Sequence, residues 1–200
     1  VSGLYQGDNT IEEEATNRDP RFAQTVWTQG SVWYEYADGR IEYYDKAFER
    51  LFQDNIYASP TRYQQRKEYL ELVQYHSSQE EESPTITARY AEVLLNYAEA
   101  LTELGTLTQE DLDISINVLR DRVAMPHLVL GTITADPNWA YPDLSPIINE
   151  VRRERLVELV SEDFRQDDLF RWAAMKYLIG TRPIGAKADQ FNHDPKLPVT

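Results

Sequence analysis

Cysteine is missing from all 200 residues. That absence excludes disulfides, thiolate nucleophiles and zinc–thiolate centres. It names no compartment, because secreted chains need not use disulfides. Glycine is scarce, and its 8 residues are spread singly. No glycine-rich phosphate loop can be built from them, and no Gly-x-Ser-x-Gly nucleophile elbow is present. The 3 histidines, His76, His127 and His193, are scattered. No pair stands at i, i+4 and no Ca²⁺-loop pattern occurs, so the pattern points to no metal and no cofactor. Basic residues are the minority, 20 against 34 acidic, for a net charge of −14. Such a balance argues against nucleic acid as a partner. Apolar runs are far too short to span a membrane. The chain opens at Val1 without a charged region followed by an apolar one, so no signal peptide is visible.

What is present is material for a folded core. Hydrophobic residues make up 42% and aromatics 12%, and the length suits one domain, or one domain plus an irregular extension. The densest information lies in Glu150 to Trp172, EVRRERLVELVSEDFRQDDLFRW. Leu156, Leu159 and Val160 share one helical face by their spacing. Glu150, Glu154 and Glu158 recur every fourth residue, which destabilises an isolated helix. Arg152, Arg153 and Arg155, or arginines from elsewhere, can offset that repulsion. Arg165, Asp167, Asp168 and Arg171 repeat the mixture beside Phe164, Leu169, Phe170 and Trp172. The expectation is a partly buried ionic network involving Arg152, Glu154, Arg155, Glu158, Arg165, Asp168 and Arg171. The pairs Glu154/Glu158 and Asp167/Asp168 also raise glycoside hydrolysis, which needs two carboxylates across a cleft. Neighbouring arginines favour the ionised form and suit a structural network better than a general acid.

Residues 1–85 lack a sustained helical period apart from Tyr43 to Phe52, and they concentrate aromatics: Trp27, Trp33, Tyr34, Tyr36, Tyr43 and Tyr44. Asp38-Gly39 is a turn signal, so Ser31–Ala37 and Arg40–Tyr44 are expected to form a hairpin. The alternation in Lys67 to Tyr75 suggests another short strand, and Ser77 to Ser83 reads as a solvated loop. From Pro84 the pattern turns helical. Tyr90, Leu94, Tyr97, Leu101 and Leu104 step at helical spacing, with Ala91 and Ala98 small enough for close packing. Gly105 is a stop signal. Thr108 with Asp111 reads as an N-cap box, after which Leu112, Ile116, Leu119 and Val123 trace one continuing face that Pro126 ends. After a long loop, His127 to Asp143, a second hairpin is expected from Leu144–Val160 and Glu162–Ile179, closed by Gly180.

Several of these segments carry a family resemblance. VRRERLVEL, followed by Glu162, Phe164, Arg165, Asp168-Leu169 and Arg171-Trp172, resembles the C-terminal signature of the SusD/RagB family. Arg89 to Gly105 and Ile116 to Pro126 resemble the helical pair that precedes it. TNRDPRF (Thr16 to Phe22) and SPTRYQQRK (Ser59 to Lys67) resemble upstream landmarks in the same order. Two departures stand out. Ser161-Glu162-Asp163 stands where members tend to have an aromatic, Glu and Gly, and Arg62 stands where Gly is usual.

The expected fold is mostly α, with tetratricopeptide-like helical hairpins beside an irregular N-terminal segment containing short strands. The expected organisation is an aromatic-rich segment at 1–85, a helical-repeat-like region at 86–180 and an irregular tail at 181–200. The resemblance implies a non-enzymatic protein of the outer membrane surface in Bacteroidetes. Such a protein binds oligosaccharide or another nutrient and delivers it to a SusC-like TonB-dependent transporter. Its only membrane attachment would be a lipid anchor upstream of Val1, since the chain resembles just the C-terminal portion of longer members. The runner-up is a helical-repeat adaptor for a protein or peptide. No sugar-contacting residue transfers from the family. From the residues themselves, the loop His127–Asp143 is the candidate ligand surface. Trp139 and Tyr141 stand two apart and would face one side of an extended stretch, with Asn138 and Asp143 alongside. The competing reading makes Trp139 a plug between the hairpins.

Overall fold

A computed structural model describes residues 7–9, 11–44, 63–76 and 86–181. These fall into two compact units, one before Pro84 and one over Thr85–Thr181. Regular structure is mostly helical, with a single two-stranded sheet among the described residues.

The first unit opens with two single-turn helices, α1 (Ile11–Ala15) and α2 (Arg21–Thr25). Strand β1 (Val32–Glu35) pairs antiparallel with β2 (Ile41–Tyr43), and the register slips between Val32 and Tyr34. Gly39, at φ +82°, makes the connecting turn that Asp38-Gly39 predicts. The aromatics supply the core. Tyr44 is buried and stacks on Trp27 at 4.9 Å and on Trp33 at 4.7 Å, while the Tyr69 ring meets Trp27 edge-on. The strand expected over Lys67 to Tyr75 does not form. Glu68 takes a left-handed φ of +73°, which breaks the extension. What remains is one bridge from Leu72 to Glu35 and a 3-10 turn over Val73–His76. The helix expected over Tyr43 to Phe52 begins instead as strand at Tyr43, and its remainder past Tyr44 lies outside the described residues, as do Ser77 to Ser83 and Arg62.

The second unit holds the helices. α3 runs Tyr90–Leu104 and stops at Gly105, which is left-handed at φ +71°. The Thr106 and Gly105 amides bond back to Leu101 and Thr102, closing the helix end. α4 (Gln109–Asp113) begins with a complete capping box: Thr108 accepts from the Asp111 amide, and the Asp111 carboxylate accepts from the Thr108 amide. The continuous helix expected from there to Val123 is broken. Ile114 and Ser115 leave helical geometry, and the Ser115 hydroxyl bonds to the Asp111 carbonyl. That is the usual way a serine competes with the backbone ladder. α5 (Ile116–Arg122) resumes the same buried face. α6 (Pro146–Glu158) packs on α3, and α7 (Phe164–Arg171) follows. A 3-10 turn over Met175–Leu178 occupies the end of the fourth expected helix.

The buried face of α3 is rotated from the expected one. Ala91, Leu94, Leu95, Ala98 and Thr102 face the core, whereas Tyr90 and Leu104 are 71% and 73% exposed. Small side chains let α3 approach α6 closely, so Ala98 ends at 0% exposure in a cluster with Leu112, Ile116, Leu119, Val151 and Leu159. On α6 the shift is larger still. Val151 and Leu159 are buried, but Leu156 is exposed, and most of the inward face is Asn149, Glu150, Arg152, Glu154, Arg155 and Glu158.

Candidate functional site

That inward face of α6 is stabilised by pairing, since buried charge is tolerated only where it is compensated. Arg155 donates Nε to both Asp168 oxygens, at 2.9 and 2.8 Å, and Nη1 to Asn96. Arg120 binds Glu154 from α5 and lies 3.8 Å from Glu150. Glu158 is met by Arg89 at 3.0 Å and by Arg122 at 2.8 Å. Arg89 also holds Glu162 at 2.6 Å. Those bonds, to Glu162 first and to Glu158 as well, raise the Arg89 pKa above the ordinary guanidinium value against the opposing effect of burial. The stacked glutamates of α6 are thus neutralised largely by arginines from outside that helix.

Glu99 forms a second node. It is buried on α3 and accepts from Arg171, from the Trp172 indole at 2.6 Å, and lies 3.8 Å from Arg155. Its hydrogen bonds raise the Arg171 pKa, with Asp168 adding to the effect. Trp172 is half-buried between the guanidinium groups of Arg152 and Arg171, 4.4 and 4.8 Å from its ring centre. Sequence reasoning missed Glu99, Arg89, Arg120, Arg122 and Asn96. For Glu99 a signal existed: it stands four residues after Leu95 and three before Thr102, in the middle of the small-residue face.

The loop between α5 and α6 is fastened at both ends by buried asparagines. Asn117 accepts from the Leu128 amide at 2.7 Å and donates to the Leu128 carbonyl at 3.1 Å. Asn149 does the same for Tyr141, at 3.1 Å to its amide and 2.8 Å to its carbonyl. Each side chain satisfies both backbone groups of one loop residue, as a strand partner would.

Within this loop Trp139 and Tyr141 line the same pocket but differ in burial. The Trp139 amide bonds to the Asp136 carbonyl, so the chain turns where an extended run was expected. Tyr141 is only 3% exposed. It packs with Leu169 and Ala174, meets Trp172 and Tyr177 edge-on, and its hydroxyl accepts from Arg165 at 3.1 Å. Tyr141 is thus largely buried, and it contributes to the wall of the pocket that Trp139 also lines. Trp139 belongs to none of the apolar clusters of the described residues and is half-buried. It borders an open pocket of about 160 Å³ with Asp136, Asn138, Tyr141, Arg152, Arg153 and Arg165. Asn138 is exposed there, held by its amide on Asp136. Asp143 lies apart from that pocket lining and meets Lys176 and Tyr177.

Asp163 resolves one departure from the family pattern. It stands where glycine is usual and takes a left-handed φ of +64° at the start of α7. Aspartate is among the few residues that visit this region readily, so the turn is kept without glycine.

Among the described residues no group of histidines and carboxylates is arranged to hold a metal, and no helix is long and apolar enough to cross a membrane. The SusD family profile matches residues 3–196, and the chain belongs to that family. No curated protein matches it. Among solved structures it is similar to a SusD-like protein from Bacteroides fragilis, with 26% identity and a TM-score of 0.57 over 80% of this chain. The chain spans 29% of the length of that protein.

Proposed function

We propose that this chain is part of a surface glycan-binding protein that captures oligosaccharide without cleaving it and hands it to a SusC-like TonB-dependent transporter. One observation carries the reading: a half-buried tryptophan, Trp139, sits beside hydrogen-bonding groups in an open pocket whose loop is pinned at both ends. Tryptophan faces stack on sugar rings, and a rim of amide and guanidinium donors fixes hydroxyls. Family membership supports the same reading, since SusD-like proteins bind nutrients and work with such transporters. A lipid anchor upstream would hold the protein at the outer membrane surface. Glu154, Glu158 and Asp168 of the charged stretch are engaged by arginines, which suits a scaffold rather than an acid–base pair. A glycan array, followed by product analysis on each bound glycan, tests the reading. Bound and uncleaved glycans support it; no bound glycan, or turnover, overturns it.

A protein or peptide ligand is the second reading. It is favoured by the exposed apolar stripe Tyr90, Val93, Tyr97 and Leu104 along α3. Capture of peptides with an empty glycan array would select it.

A further inference from the structure

Of the three arginines that line the Trp139 pocket, two are paired with carboxylates of the described residues and one is not. Arg152 pairs with Glu103 at 3.0 Å, and Arg153 pairs with Glu150. Arg165 has no carboxylate within ion-pair distance among the described residues, and its hydrogen-bond partner is the neutral hydroxyl of Tyr141. Arg152 is held in the wall of the pocket. It is 6% exposed, its guanidinium lies 5.0 Å from the Tyr141 ring centre, and its buried Nε has no hydrogen-bond acceptor. The acidic side chain of the pocket lining, Asp136, has its Oδ1 engaged by the Asn138 amide. Among the described residues Arg165 is therefore a cation without a carboxylate partner, in the same lining as the half-buried indole of Trp139.

We propose that the pocket takes a carboxylate-bearing sugar, a uronic acid unit of an oligosaccharide, with Trp139 against the ring and Arg165 on the carboxylate. The inference rests on the oligosaccharide reading above and narrows it to a substrate class. A planar guanidinium matches a carboxylate with two parallel hydrogen bonds, which a sugar hydroxyl cannot reciprocate. Asn138 supplies an amide beside Trp139, suited to ring hydroxyls. The acidic surface elsewhere disfavours dense polyanions, so a contact with one carboxylate is the form of anion recognition that the charge distribution allows.

Calorimetric titration of the whole chain with trimers of galacturonate, glucuronate and mannuronate, and with neutral trimers of the corresponding hexoses, tests the proposal. At least one uronate trimer is expected to bind more tightly than its neutral counterpart by about tenfold, the worth of one charge-assisted contact. Arg165→Gln should erase that preference, weakening uronate binding by about tenfold more than neutral-trimer binding, in a variant shown by thermal melting to be folded. Arg165→Lys should restore part of it. A neutral trimer that binds as tightly as its uronate, or a preference that survives Arg165→Gln, overturns this inference alone. An acidic hexapeptide that binds where no sugar does overturns both this inference and the oligosaccharide reading.

Discussion

Arg155 on α6 and Asp168 on α7 meet inside the protein, Nε to carboxylate at 2.9 and 2.8 Å, with both side chains about 5% exposed. The same Arg155 donates to Asn96 on α3, so one guanidinium ties three helices together. Arg155→Ala would leave Asp168 buried with only the half-exposed Arg171 as cation. The expected cost is about 3–5 kcal/mol in urea unfolding, because a stranded charge costs more than the intact pair contributes. A variant within ~0.5 kcal/mol of the parent would show that the pairing is incidental.

Helix packing gives the second prediction. Ala98 is 0% exposed in the cluster where α3 approaches α6. Ala98→Leu should overpack that contact and lower stability by roughly 1–3 kcal/mol. A midpoint that does not move would mean that α3 and α6 separate easily.

Asp163 gives a stabilising substitution. Its φ of +64° favours glycine, and its side chain makes no cap hydrogen bond. Asp163→Gly should raise stability by about 0.5 kcal/mol, the relief of left-handed strain outweighing the added freedom of the unfolded chain. Thermal melting reads this directly, and a lower midpoint would show that Asp163 holds the turn by another means.

Asp111 gives a pH dependence. Hydrogen bonds from the Thr108 side chain first, then from Tyr97 and the Thr108 backbone, hold its pKa below the ordinary 3.8. A depressed carboxylate stabilises the fold fully above its unfolded value, and the contribution is lost as pH falls through the lower folded value. The stability difference between parent and Asp111→Asn should therefore be constant from neutral pH down toward 4 and shrink below about 3.8. A difference that stays level to pH 2 would contradict the assignment.

Local chemistry in this chain is readable from sequence because few residues decide it. Gly105 stops α3 and Thr108 with Asp111 starts α4, each within one turn. The orientation of α3 is not readable in that way. Its largest apolar residues, Tyr90 and Leu104, face outward, while Ala98, Thr102 and Glu99 face in, because close helix approach selects small side chains and Glu99 has arginine partners on other segments. The density of charge in α6 signals a network, but only the fold shows that Arg89, Arg120 and Arg122 supply its outside partners. The extended conformation expected for the loop fails for a similar reason. Same-side geometry at i and i+2 presumes extension, and the turn at Asp136 to Trp139, with Asn149 clamping Tyr141, leaves both residues in one pocket lining but buries Tyr141 and not Trp139.

The most direct test of the account is equilibrium binding of a glycan panel to the parent and to Trp139→Ala, with the fold of each checked by thermal melting. The account predicts that the parent binds at least one oligosaccharide without cleaving it. The variant should keep its melting temperature and lose that binding, since Trp139 lines the pocket but no apolar cluster. Undiminished affinity in a stably folded Trp139→Ala variant would contradict it.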